Sequence, residues 1–105
     1  MKTSFSGIIR KIFPIEQLDT VHTCHLWITD PGFDSAEVKA KPQTHKVELV
    51  NGDPKVIHKI MQGLKEGDHV KTVVWINSKQ IYKRGEIDFN PFIRVKSIEK
   101  LSANV

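Results

Sequence analysis

Asn51-Gly52-Asp53-Pro54-Lys55-Val56-Ile57-His58-Lys59-Ile60-Met61 is the stretch on which the fold turns. Asn51 and Gly52 tolerate positive φ and end a strand. Asp53 can accept from the backbone N–H groups that open a helix, and Pro54 suits the first helical position, where no partner is needed. Val56, Ile57, Ile60, Met61 and Leu64 recur at helical spacing, and Gly63 can take the left-handed conformation that closes the helix. The residues on either side read as strands. The spacing therefore predicts one short helix between two strand-rich halves.

Upstream, residues 3–13 predict a first strand with Phe5, Ile8, Ile9, Ile12 and Phe13 apolar, Pro14 as its stop and Gly7 as a bulge or bend. Residues 15–20 read as a loop. A second strand over 21–29 has Cys24, Leu26 and Ile28 on one face, and Thr23, His25, Trp27 and Thr29 on the other. The first set suits a core, which leaves Trp27 outside among polar neighbours. Residues 30–42 form a long polar connection, and such loops often carry function. The third strand, 43–50, turns Val47 and Leu49 inward and Thr44, Lys46 and Glu48 outward.

Downstream, Gly67 and Asp68 turn the chain into a fourth strand over 69–77. Val70, Thr72, Val74 and Ile76 point inward there, and Lys71, Val73 and Trp75 outward. Residues 78–85 read as a basic hairpin tip. The last strand covers 87–98, with Asn90 and Pro91 interrupting its pairing. Phe5, Phe13 and Phe92 are expected in the core. Residues 1–100 form a single domain and 101–105 a frayed tail.

Composition excludes several classes. Charged residues are 27% and hydrophobic residues 39% of the 105, a globular balance rather than a disordered one. No apolar run approaches the roughly 20 residues of a membrane span, and residues 1–5 lack a signal-peptide core, so a cytoplasmic location is expected. The single Cys24 suits a reducing compartment. No glycine-rich phosphate loop or nucleophile elbow is present, so no enzyme, catalytic residue or cofactor is expected. His22, Cys24 and His25 fall on opposite strand faces without paired knuckles, which argues against a metal site.

Charge and aromatics point elsewhere. The net charge is +4, and the stretch from His69 to Gly85 holds Lys71, Lys79, Lys83 and Arg84 but no acid. Trp27 and Trp75 sit opposite the apolar faces, and an exposed indole usually meets a partner. Aromatics among cations suit a polyanion with stackable bases. The candidate nucleic-acid contacts are Trp27, Trp75 and Tyr82 for stacking, with Lys39, Lys41, Lys46, Lys71, Lys79, Lys83 and Arg84 for phosphates.

The order strand, strand, strand, helix, strand, strand resembles the oligonucleotide/oligosaccharide-binding (OB) fold, a five-stranded barrel with its helix between strands three and four. Residues 64–70, Leu-Lys-Glu-Gly-Asp-His-Val, look like a helix-to-strand passage of single-stranded DNA-binding proteins. Three segments, residues 7–14, 42–49 and 85–90, are similar to a small bacterial and phage family of single-strand-binding-like OB domains. The resemblance implies non-sequence-specific binding of single-stranded DNA, with RNA possible, in replication, recombination or repair, by a homo-oligomer, a homodimer first and a higher oligomer as the alternative. The alternative is an OB domain that serves as a protein-interaction module without touching nucleic acid.

Overall fold

The computed structural model describes residues 2–34, 37 and 39–101. The chain is mostly β, in the order β1 (Lys2–Ile12), β2 (Glu16–Leu18), β3 (Val21–Asp30), β4 (Phe33–Asp34), β5 (Lys39–Ala40), β6 (Gln43–Asn51), α1 (Pro54–Met61), β7 (His69–Lys83) and β8 (Glu86–Lys100). β1 runs antiparallel to β7 from Lys2 to Ile8, then antiparallel to β3 from Ile8 to Ile12. β3 pairs antiparallel with β6, β6 meets β8 in parallel, and β8 pairs antiparallel with β7. The pairings thus form a circuit that leads back to β1.

Period-two alternation fills the interior of this circuit. Ile9, Cys24, Leu26, Ile28, Val47, Leu49, Val70, Thr72 and Val74 are buried. Thr72 reconciles its hydroxyl with that burial by donating to the Ser97 carbonyl at 3.0 Å. The helix lies against the same core through Ile57, with Ile60, Met61 and Leu64 packed beside it. Its start follows the residues: Asp53 Oδ1 accepts from Lys55 N–H at 2.9 Å, and Pro54 stands in the first turn. Among the described residues no helix is long and apolar enough to cross a membrane.

Several expectations need correction. The helix closes at Met61, and Gln62 caps it; Gly63 does take a positive φ of 84°, but outside the helix, while Val56 faces solvent. Residues 16–18, expected as loop, form β2, which covers the start of β3 and buries Thr23 opposite Glu16. The long connection holds the short β4–β5 pairing. The register shift in β1 falls between Ile9 and Lys11 rather than at Gly7. Phe5 is half-buried and packs against the core as expected, whereas Phe13 and Phe92 are half-buried beside Trp27 and Arg94. The tail expected to fray lies outside the described residues, save Leu101, whose N–H donates to the His69 carbonyl at 2.8 Å.

The largest correction concerns the basic tip. β7 continues to Lys83, β8 begins at Glu86, and the register runs unbroken through Asn90 and Pro91. Arg84 and Gly85, at φ 54° and 80°, make the turn that matches strand twist. Past Ile76 and Ile93 the two strands, among the described residues, pair with each other alone and project as an arm. The radius of gyration is accordingly 15.5 Å, against about 13 Å for a compact chain of this length.

One contact ties the strand ends electrostatically. His45 Nε2 faces Asp30 Oδ2 at 2.5 Å, and Gly32 N–H donates to Asp30 Oδ1 at 2.8 Å. The hydrogen bond from His45 holds the Asp30 carboxyl below its ordinary value. A depressed carboxylate stabilises the fold while ionised, and that stability disappears as pH falls through its folded pKa. Thermal melts should therefore show the native protein losing part of its advantage over Asp30→Asn as pH drops from 7 to below about 4. A constant difference between the two would refute the linkage.

Candidate nucleic-acid interface

Strand alternation that buries Leu26 and Val74 turns the next residues, Trp27 and Trp75, to the surface, where they are 39% and 43% exposed. Register then places a cation on each side of each indole. Trp27 stands opposite Lys11 of β1 and Lys46 of β6. Trp75 stands opposite Lys2 of β1 and Arg94 of β8. Lys11 Nζ lies 5.3 Å from the Trp27 ring centre and 4.7 Å from that of Phe13, and the two ring centres are 5.3 Å apart in a T-shaped arrangement. Lys96 Nζ lies 5.7 Å from the Trp75 ring centre. Such cation–π contacts orient the rings without enclosing them.

The two indoles belong to one outer face. Across the strands a row of register partners runs Trp75, Arg94, Glu48, His25, and Trp27 follows His25 on the same side of β3. Three strand spacings separate the ends of the row, roughly 14 Å along the surface. Glu48 holds its middle: its Oε1 accepts from Arg94 Nε at 3.3 Å, and its Oε2 lies 3.3 Å from His25 Nε2. The Arg94 guanidinium also lies 5.2 Å over Phe92. Beside Trp27, an open hollow of about 440 Å³ is lined by Phe13, Glu16, His25, Trp27 and Lys46. Hydrogen bonding with the Lys2 amine, and repulsion from it, push the Lys96 pKa below the ordinary lysine value.

The residues selected from the sequence scatter more widely. Among the selected cations with described side chains, only Lys46 flanks an indole in register. Lys71 stands opposite Glu99 and Lys83 opposite Glu86 in register, so acids of the adjacent strand lie beside the acid-free run. Arg84 occupies the turn of the arm, Lys39 pairs in register with Asp34, and Lys41 lines a separate hollow beside Phe5 and Asp30. The side chain of Lys79 lies outside the described residues. Tyr82 is 76% exposed, but it shares the opposite strand face from Trp75, with Ile87 across from it. Lys2, Lys11, Arg94 and Lys96 escaped the sequence reading because register, not composition, brings them to the rings.

Among the described residues no group of three or more His, Cys, Asp or Glu could hold an ion. Burial raises the pKa of Cys24, whose Sγ donates to the Phe13 carbonyl at 3.4 Å. A neutral, hydrogen-bonded thiol packs as a small apolar group.

No family model matches the chain, and no curated protein does. Solved structures do. The chain is similar to the mitochondrial single-stranded DNA-binding protein Rim1 of S. cerevisiae, with a TM-score of 0.71 at 14% identity, over 99% of this chain and 97% of that one. A selenomethionine-labelled structure of the same yeast protein gives 0.70 at 13% identity, over 96% and 94%. A small single-stranded DNA-binding protein from Streptomyces coelicolor gives 0.62 at 12% identity, over 98% and 95%. Likeness at such low identity establishes a shared fold: mostly β, with one helix, of the kind these single-stranded DNA-binding proteins have.

Proposed function

We propose that this chain is an OB barrel that binds single-stranded DNA without sequence preference. One observation carries the reading: each surface indole is bracketed in register by cations from both neighbouring strands. That pairing of a stacking ring with phosphate-seeking charges is the chemistry a single strand needs, since every base has a π-face and every linkage a negative charge. Trp27 and Trp75 stack on bases; Lys2, Lys11, Lys46, Arg94 and Lys96 draw the backbone between them. Lys83 and Arg84 on the arm extend the path, Tyr82 offers a further ring on the arm's other face, and Lys39, Lys41, Lys71 and Lys79 add diffuse attraction. Such binding would serve replication, recombination or repair. A dimer fits the same reading, because β1 from Lys2 to Gly7 pairs with β7 on one side and, among the described residues, with no strand on the other.

The test is a titration with oligo-dT, followed by tryptophan fluorescence at low and high salt, with oligo-U alongside to compare RNA. Quenching that weakens steeply with salt supports strand binding. A second reading rests on the arm, where Tyr82, Ile87 and Phe89 are exposed on one face. Such an apolar face suits a protein-interaction module. Absence of quenching at micromolar protein favours that module instead.

A further inference from the structure

Glu48 is the one acid in the row that joins the two indoles, and it lies at the row's centre. A strand that follows this row from one ring to the other passes over it. Its carboxylate is only 21% exposed because it is clasped from two strands, by Arg94 of β8 and His25 of β3. Arg94 in turn is the register neighbour of Trp75, and its guanidinium rests on Phe92, half exposed. The best-placed guanidinium on the face is therefore already engaged by an anion of the protein itself.

We infer that Glu48 is a built-in competitor for the strand's phosphates, which holds Arg94 in the free protein and releases it when DNA binds. This rests on the strand-binding reading and adds to it a residue that sets affinity from within the site. A phosphate arriving beside Trp75 exchanges one charge-assisted partner of Arg94 for another. Glu48 keeps His25 as its remaining partner after the exchange. The contact is loose enough to yield: both distances are 3.3 Å, long for charge-assisted bonds, and Arg94 is half exposed. The exchange lowers the net gain from Arg94, so the native protein binds more weakly and with less salt dependence than its cation count implies.

The experiment compares oligo-dT affinity of the native chain, Glu48→Gln, Arg94→Gln and the double variant, across a series of NaCl concentrations. Glutamine keeps the shape and hydrogen-bonding capacity of Glu48, and circular dichroism melts verify folding. Glu48→Gln should tighten binding about two- to fivefold, the range that freeing a surface ion pair allows. The plot of log affinity against log salt should steepen by about 0.7, the increment for one further phosphate contact on a single strand. In the Arg94→Gln background both changes should vanish. Unchanged or weaker binding by Glu48→Gln overturns the inference while leaving strand binding intact. Equal tightening in the Arg94→Gln background also overturns it, because the effect would then be mere removal of charge. No binding by any of the four proteins sinks both this inference and the strand-binding reading.

Discussion

Replacing either indole by alanine should weaken oligo-dT binding by about 1–3 kcal/mol, roughly five- to 150-fold, the measured worth of one base–aromatic stack. The two losses should add. Trp27 and Trp75 stand on different strands, β3 and β7, beside different cations, and changes at separated sites without shared partners are independent. The salt slope should stay nearly constant in both variants, because stacking releases no counterions. By contrast, Lys11→Gln or Lys46→Gln should flatten the slope by about 0.7 each with a smaller loss at high salt. Fluorescence anisotropy of labelled oligo-dT measures all of these on one scale. Full affinity in the Trp27→Ala, Trp75→Ala double variant would leave the stacking assignment without support.

Gly7→Ala should damage the fold markedly. A Cβ at Gly7 would lie 2.5 Å from the Thr29 carbonyl oxygen and 2.8 Å from Ile28 Cγ2. One neighbour is backbone, which cannot rotate aside as a flexible side chain can. Gly7 also lies where β1 leaves β7 and joins β3, so a shift there disturbs both pairings. Overpacking of this kind costs about 1–3 kcal/mol and occasionally more. Differential scanning calorimetry should show a melting point lower by about 4 °C or more for a chain of this size. An equal or higher melting point would mean that β1 and β3 can separate without penalty.

Much of this architecture was legible because alternation is a local signal. Cys24, Leu26 and Ile28 against His25 and Trp27 told inside from outside within a single strand, and the structure buries and exposes them accordingly. The Asp53-Pro54 start was equally local, since a cap involves residues only two positions apart. Expectations failed where a residue's fate depends on a distant strand. Thr23 is buried because β2 lies over it, and residues 78–91 extend as an arm because the tight Arg84-Gly85 turn lets two long strands pair to their ends.

The candidate site divides along the same line. Periodicity alone identified Trp27 and Trp75 as surface aromatics, since each residue's side follows from its neighbours in the chain. Which cations accompany them was decided by tertiary pairing. Lys2 and Lys11 reach the two rings from opposite ends of β1, and Arg94 comes from a strand that begins after the turn of the arm. Lys71 looked free in an acid-free run until Glu99 appeared beside it from β8. Charge acts through space and spacing acts along the chain; only the closed pairing of strands converts one into the other.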